Sequence, residues 1–266
     1  MGGLNILVCA KQVPDPEGPP AAFEVDAEAK RVVPKGIPPV LSPFDENALE
    51  AAIRLKEEHG GTVTLLSVGS GLSKAVMLKA MASGADRLVM LDDPACDRER
   101  LDGHATASLL AAAVSKLGGF DLILAGRQAA DTNAGVVGLG LARLLGLSAV
   151  SCARRVEAAD GGLRVEAALP DGYAVFLVEM PALVTVSHEV GDLRYPSLMA
   201  IKQAKTLPVE ELSLAELGVD PEAERRLELV SLAPPSRERR CRLVEADSPE
   251  EAGRRLAELL REEKVI

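Results

Sequence analysis

The chain has 266 residues, of which 47% are hydrophobic, and its formal net charge is −10 at pH 7. This charge argues against a general nucleic-acid surface. No uninterrupted apolar run exceeds six residues, which is far short of the roughly 18 needed for a membrane span. The first strand begins within a few residues of the N-terminus, so we expect no signal peptide and a cytoplasmic protein.

The cysteine spacing and the low aromatic content limit the kinds of binding site that the chain is expected to form. The four cysteines are scattered without a CxxC pair, so we expect free thiols and neither a disulfide nor a metal site. They are Cys9, Cys96, Cys152 and Cys241. The chain has no Trp, two Tyr and four Phe, and these leave few rings to stack on a planar cofactor. If a flavin is involved, another chain is expected to supply most of its pocket.

The first half of the chain alternates apolar strands with amphipathic helices. We expect strands at 4–10, 62–68, 85–91 and 120–125, and helices at 43–59, 73–83, 101–117 and 135–145. Ser42 is expected to cap the first helix, with Pro43 in its first turn and Asp45 bonding back or favouring the dipole. Residues 17–41 are Pro-rich, with one small hairpin. This order predicts a doubly wound parallel sheet whose ligand sits at a switch point of the strand order.

The second half changes character after about residue 148. Three expected strands are separated by the hairpin signals Asp160-Gly-Gly and Pro170-Asp-Gly, and they predict an antiparallel extension. We expect one α/β domain over 1–205 and a C-terminal arm over 206–266, which is broken by prolines 208, 221, 234 and 235. The arm ends in a helix that opens with the capping box Ser248–Glu251 and packs its apolar stripe on a partner subunit.

The stretch Phe120–Gly138 runs from an apolar strand through a small-residue loop into a helix. Gly126 and Gly135 let the backbone turn sharply, so that its N–H groups and the next helix N-terminus can face a phosphate. Neither the P-loop nor the complete dinucleotide fingerprint is present. Phosphate binding and an ordinary strand-to-helix turn both stay open on spacing alone. No catalytic acid, base or metal cluster stands out, so the residues do not suggest acid–base catalysis.

Residues 179–205 carry a family resemblance. Glu179-Met-Pro-Ala-Leu-Val-Thr185, followed by Leu193-Arg-Tyr-Pro-Ser-Leu-Met-Ala-Ile-Lys-Gln-Ala-Lys205, resembles the signature region of the electron transfer flavoprotein beta subunit. Further landmarks of that family follow in the right order over nearly the whole chain. They are Lys11 after the first strand, Pro43-Phe44 with an acidic helix, Gly84-Ala-Asp86-Arg87, and Gly126-Arg-Gln128-Ala-Ala-Asp131.

The resemblance implies a Rossmann-like, adenine nucleotide-binding fold in a heterodimer. It further implies that an alpha subunit carries the redox-active FAD, while this chain buries an AMP and is an electron carrier subunit, not an enzyme, with bifurcating oxidoreductase activity left open. By the same resemblance, electrons are expected to pass from acyl-CoA or other dehydrogenases, as in fatty acid beta-oxidation, to a quinone oxidoreductase or other acceptor. The small residues Gly135, Val136 and Val137 look more like the electron-bifurcating members, which hold a second FAD in place of AMP. The Gln and following Pro of those members are also missing here, so both cofactors stay open. Pro16 stands where familiar members place a tyrosine near the alpha subunit's flavin.

The resemblance also implies which residues bind the cofactor and the partner. The cofactor residues are Cys9, Ala10, Lys11, Ser42, Pro43, Phe44, Asp45, Val68, Gly69, Gly126, Arg127, Gln128, Ala129, Asp131, Thr132, Asn133, Ala134, Gly135, Val136 and Val137. Leu198 matches a leucine that enters a hydrophobic pocket of the dehydrogenase, and Arg194, Lys202 and Lys205 form a basic rim around it. The residues alone favour the alternative that Leu198 is simply the first buried residue of a short helix, and the resemblance reverses that preference. Two alternatives fit less well: an adenine-nucleotide sensor of the universal-stress type needs no 181–266 extension, and a nicotinamide oxidoreductase needs a complete glycine fingerprint.

Overall fold

The computed structural model describes residues 2–159, 161–234 and 241–266. Asp160, which belongs to a predicted hairpin turn, and Pro235, a predicted chain break, lie outside the described residues. The chain forms two compact units, Met1–Leu232 and Ala233–Ile266.

The first unit contains the strands and most of the helices. The strands are β1 (Leu4–Cys9), β2 (Gln12–Pro14), β3 (Phe23–Asp26), β4 (Arg31–Pro34), β5 (Pro39–Leu41), β6 (Gly61–Gly69), β7 (Arg87–Asp92), β8 (Leu122–Gly126), β9 (Ser148–Ala159), β10 (Gly162–Leu169), β11 (Gly172–Glu179), β12 (Ala182–Val186) and β13 (Val209–Glu211). The helices are α1 (Pro43–His59), α2 (Lys74–Met81), α3 (Gly103–Leu117), α4 (Val137–Leu145), α5 (Leu198–Ala204) and α6 (Leu214–Leu217).

Nine strands form one large sheet in the order β11-β10-β9-β12-β8-β1-β6-β7-β13. Neighbours from β9 to β13 pair in parallel, while β10 and β11 add an antiparallel edge. The predicted doubly wound sheet with its antiparallel extension is therefore confirmed. The chain places β6 and β7 on one side of β1 and then crosses to place β8 on the other side. The switch point, where a crevice opens at the carboxyl ends of the strands, thus lies between β1 and β8.

The core has two apolar layers because the central strands are buried on both faces. Ile6 and Val8 of β1 pack with α1 and α2 on one face, while Leu7 packs with α3 and α4 on the other, as the two-residue period of a strand requires. The predicted apolar face of α1 is buried in the first layer, which fixes the start of this helix beside the switch point.

Two helix starts differ from the sequence expectation. Ser42 occupies the N-cap of α1, but its side chain accepts no capping bond. The Asp45 carboxylate does not bond back either, since its two oxygens accept the N–H groups of Lys11 and Gly126. At Ser248 only half of the predicted capping box forms. The Ser248 hydroxyl accepts from the Glu251 N–H at 3.2 Å, while the Glu251 carboxylate pairs with Arg255 at 2.6 Å.

The boundary between the units also differs from the expected one after residue 205. Strand β13 pairs in parallel with β7, with Val209 opposite Leu88, so this part of the expected arm completes the sheet of the first unit. The second unit contains α7 (Pro249–Glu262), and none of the residues of this helix is buried.

Candidate functional site

A cavity of about 690 Å³ opens at the carboxyl ends of β1, β6 and β8. This is the switch point of the sheet, and the volume falls within the range of about 300–1,000 Å³ that is common for small-molecule sites. The β3–β4 hairpin and the N-terminal ends of α3 and α4 complete its walls. The fold therefore brings three strand ends and two helix starts to one place.

Most of the predicted cofactor residues meet in this cavity. Fourteen of them line it: Cys9, Ala10, Lys11, Asp45, Val68, Gly69, Gly126, Arg127, Gln128, Ala129, Thr132, Ala134, Gly135 and Val137. The other six, which are Ser42, Pro43, Phe44, Asp131, Asn133 and Val136, do not line it. At least four of these six contact lining residues. The Arg127 guanidinium stacks 5.1 Å from the centre of the Phe44 ring, and Asp131 pairs with Lys11 at 2.8 Å. The Ser42 N–H donates to the Lys11 carbonyl at 2.8 Å, and Asn133 accepts from the Gln128 amide at 2.9 Å.

Asp45 connects the two strands that flank the switch point. Its Oδ2 accepts the Lys11 N–H at 2.8 Å, and its Oδ1 accepts the Gly126 N–H at 3.0 Å. Burial raises the pKa of this carboxyl to about 7, although the two backbone bonds and the Lys11 charge oppose the rise. Gly126 is needed for this contact, because a Cβ there would lie 2.7 Å from Oδ1 of Asp45 and 2.6 Å from the carbonyl carbon of Phe44.

The loop between β8 and α4 is shaped by its own side chains and by two left-handed residues. The Gln128 amide donates to Oδ1 of Asn133 at 2.9 Å, and Asn133 and Gly135 have φ values of +52° and +66°. The loop ends at Val136, which occupies the N-cap of α4 and offers no side-chain acceptor. The first N–H groups of α4 therefore have no side-chain cap, which leaves them available to an anion.

The two helix starts at the cavity are not equivalent. Asp102 caps α3 by accepting the Ala105 N–H at 2.8 Å, and its other oxygen accepts the N–H groups of Arg226 and Leu227 at 2.6 and 2.7 Å. At α4, by contrast, the neighbouring Arg127 has a buried Nε with no hydrogen-bond partner among the described residues. The start of α4 thus lacks the side-chain cap that α3 has, and the loop before it carries a buried guanidinium nitrogen without a partner among the described residues.

Part of the cavity wall was not predicted from the sequence. The missed residues include Arg31–Pro34 of the β3–β4 hairpin, Cys96–Glu99 and Leu101–Gly103 after β7, and Leu227. Arg98 fastens the first two of these segments together by donating to the Val32 carbonyl at 3.0 Å. The N-cap residue Asp102 before an apolar helix was a usable signal for the start of α3, but the hairpin carries no local mark of its role.

Other site chemistries receive no support from the residues that the structure describes. No group of three His, Cys, Asp or Glu side chains is placed there to hold a metal ion, and no helix in those residues is long and apolar enough to cross a membrane. All four cysteines are free thiols. Burial raises the pKa of Cys9, and burial with the nearby Asp93 and Asp92 raises that of Cys96 to about 11, so neither thiol is activated as a nucleophile.

Residues 194–205 form an exposed loop and the helix α5. Leu198 is the first residue of α5 and is 81% exposed, so the alternative in which it is a buried residue is wrong. Arg194 does not belong to a free basic rim, because its guanidinium pairs with Glu50 at 3.0 Å and also with Glu57. Lys202 and Lys205 are exposed. The rim around Leu198 therefore consists of two lysines.

Comparison with known proteins shows the family to which this chain is similar. A model of the electron transfer flavoprotein domain matches residues 31–217. The electron transfer flavoprotein subunit beta of Bacillus subtilis is 32% identical over 265 residues, covering 99% of this chain and 100% of the relative. The chain belongs to the electron transfer flavoprotein beta subunit family. As a beta subunit it is also similar to Protein FixA of Azorhizobium caulinodans, with 30% identity over 99% of this chain and 96% of the relative.

A further relative of this beta subunit is the Caffeyl-CoA reductase-Etf complex subunit CarD of Acetobacterium woodii. It is 35% identical over 83% of this chain and 82% of the relative. The family prediction made from residues 179–205 is confirmed, and with it an electron transfer role. The name beta subunit implies an alpha partner.

Proposed function

We propose that this chain binds an adenine nucleotide at the β1–β8 switch point of a heterodimeric electron transfer flavoprotein. Its alpha subunit carries the redox-active FAD, its electrons come from acyl-CoA or other dehydrogenases, and a quinone oxidoreductase or other acceptor receives them. The observation that carries the proposal is the cavity, in which a glycine-containing loop and an uncapped helix start face one crevice.

The nucleotide phosphate belongs at the start of α4. The helix dipole and the free N–H groups favour an anion there, and the buried Nε of Arg127 supplies a donor that has no partner among the described residues. Gly135 lines this end of the cavity, where the nearest atom to an added Cβ would be the Arg127 carbonyl oxygen at 3.4 Å. The backbone can thus approach a phosphate closely, as a residue without a side chain allows.

The rest of the cavity suits the adenosine part. Its inner wall is aliphatic and includes Leu66, Val68, Leu110 and Leu141, and apolar walls with a few polar groups are typical of cofactor sites. No side chain placed for acid–base chemistry is required, because the nucleotide is bound and not transformed. In this proposal the chain's residues hold the nucleotide and dock partners, while the flavin of the alpha subunit supplies the redox chemistry.

A second FAD in place of AMP is the other candidate. The cavity continues past the β8–α4 loop to the β3–β4 hairpin and to Cys96–Gly103, so it has length for a ligand that is longer than a mononucleotide. The name of the relative CarD places that protein in a Caffeyl-CoA reductase-Etf complex. None of the described lining residues is aromatic, so in this alternative the flavin ring would lie against aliphatic and backbone atoms. The released cofactors distinguish the two candidates.

Docking of the dehydrogenase is proposed for residues 194–205. Leu198 is exposed and lies beside the exposed Lys202 and Lys205, which is the arrangement expected of an apolar anchor with a basic rim. Burial of one leucine contributes about 1.5–3 kcal/mol, while the lysines mainly speed encounter and make it sensitive to salt. The apolar stripe of α7 is proposed to pack on the alpha subunit.

A matched pair of glycine variants tests the nucleotide site. Gly135 and Gly146 flank the same helix with φ values of +66° and +67°, but only Gly135 lines the cavity. Gly135→Asp and Gly146→Asp therefore add the same charge and a similar backbone strain. We expect Gly135→Asp to abolish retention of the adenine nucleotide in the purified heterodimer and to spare the alpha-subunit FAD, while Gly146→Asp retains both. Full nucleotide occupancy in Gly135→Asp would refute the site.

A further inference from the structure

The first turn of α1 joins the carboxyl ends of the two strands at the switch point. Lys11 follows the end of β1, and Gly126 is the last residue of β8. The two oxygens of the Asp45 carboxylate accept one backbone N–H from each, at 2.8 and 3.0 Å. Hydrogen bonds to a charged acceptor are short and strong, so this side chain ties together the two chain segments that leave the paired strands.

The same carboxylate is unsuited to contact a phosphate. Its charge would repel an anion, and each of its oxygens already accepts a backbone bond. Its two partners, however, lead directly into the ligand loop. Gly126 begins the loop, and the Lys11 side chain reaches Asp131 in the middle of the loop at 2.8 Å. Asp45 thus holds the start of the loop directly, and the Lys11 side chain holds its centre. Asp45 also holds the backbone of Lys11.

We propose that Asp45 is a positioning residue for the nucleotide site: it acts through Lys11 and Gly126 to hold the β8–α4 loop in the conformation that receives the phosphate. This inference rests on the proposed nucleotide binding. Under this proposal Asp45 does not touch the ligand. Its role is to position the residues that do.

The charge state of Asp45 decides how many of these bonds exist. The titratable groups that interact with it are Cys9, Lys11 and Asp131, and the Arg127 guanidinium stacks on the ring of the adjacent Phe44. Both hydrogen-bond partners of Asp45 are N–H donors, so only the ionised carboxylate satisfies both, and the hydroxyl of the neutral acid would face a donor. Burial raises the pKa of Asp45 to about 7. The two-bond arrangement is therefore complete above that pH and partly lost below it.

A matched control lies at the opposite end of the same two strands. Oδ2 of Asp121 accepts the Asn5 N–H at 2.8 Å and joins the amino ends of β8 and β1, away from the cavity. The test uses the nucleotide-free complex of the full chain with its alpha subunit and AMP as the probe, with equilibrium dialysis and thermal unfolding as readouts. The variants are Asp45→Asn, Asp45→Ser and Asp121→Asn.

At about pH 8.5 we expect both Asp45 variants to bind AMP about tenfold or more weakly than the wild type, which is the scale of one lost bond to a charged group. We expect Asp121→Asn to change the affinity less than about twofold. The affinity ratio of wild type to Asp45→Asn should fall toward one by about pH 5.5, since a protonated Asp45 resembles Asn. The titration of the AMP phosphate cancels in this ratio.

Three results would overturn the proposal in distinguishable ways. AMP affinities of both Asp45 variants that equal the wild type would show that the loop does not depend on Asp45. If neither Asp45 variant folds while Asp121→Asn does, the residue serves the fold and not the site. If the wild-type complex binds no AMP, the proposed nucleotide binding fails together with this inference.

Discussion

Replacing Arg194 by glutamine should destabilise the first unit, although this residue lies on an exposed loop. Its guanidinium bonds the Glu50 carboxylate through Nε at 3.1 Å and Nη2 at 3.0 Å, and that carboxylate is only 5% exposed. Removing one partner of a buried ion pair costs about 3–5 kcal/mol, because the other charge stays buried. Arg54 keeps its bond to Glu50 at 2.8 Å, and the Arg194 side chain is 36% exposed. We therefore expect Arg194→Gln to lower the free energy of unfolding by a smaller amount, about 2–3 kcal/mol.

This loss is large enough to measure by thermal unfolding. For a domain of this size, about 2–3 kcal/mol corresponds to a decrease of roughly 4–12 °C in the midpoint. A suitable control is Arg87→Gln, because Arg87 pairs with Glu210 at 2.8 Å and both side chains are about half exposed. The loss in this control should stay below about 1 kcal/mol. Equal midpoints for the two variants would refute the claim that Glu50 depends on Arg194.

The pH dependence gives the same prediction an independent check. Burial raises the pKa of Glu50, but hydrogen bonds from Arg194 and Arg54 outweigh it, and the net pKa is lowered from the usual value of 4.5. A carboxyl with a lowered folded-state pKa stabilises the protein above its unfolded pKa, and this contribution is lost as the pH falls through the folded pKa. The stability difference between wild type and Arg194→Gln should therefore be full near neutral pH and shrink below about pH 4.5. A difference that grows in acid would contradict this reasoning.

Three further outcomes follow from exposure and packing. Leu198→Ala should slow dehydrogenase-driven flavin reduction about tenfold and change stability by less than about 0.5 kcal/mol, while Leu177→Ala, at a similar 80% exposure on β11, should leave the reduction rate unchanged. Gly126→Ala should lower both the unfolding midpoint and nucleotide retention, because the added Cβ would lie 2.6 Å from a backbone atom of α1. Normal values of both would contradict the close approach of Gly126 to α1. Cys241 is exposed and should react with a thiol reagent in the folded protein, whereas the buried Cys9 should react only on unfolding.

The fold was predictable because its signals are local. Strands and helices alternate with clear apolar periods, and Gly60 or an equivalent glycine ends several helices, so the order of elements alone limits the topology to a doubly wound sheet. The glycine loop after β8 could be recognised for the same reason. Its position at the switch point followed from the rule for parallel sheets and did not need any contact to be known.

The parts that were missed depend on partners far away in the chain. Asp45 in a first helical turn is compatible with capping or with a dipole contact, and only the folded sheet brings Gly126 to its carboxylate. Arg194 looks like a surface charge until the fold places Glu50 and Glu57, about 140 residues earlier, beside it. No spacing rule reports such long-range pairs.

The most direct test of the account is to denature the purified heterodimer and quantify the AMP and FAD that it releases. The account predicts one FAD and one AMP per heterodimer, or two FAD if the cavity holds a flavin nucleotide. A single FAD with no second adenine nucleotide would contradict the claim that the cavity at the β1–β8 switch point is a cofactor site.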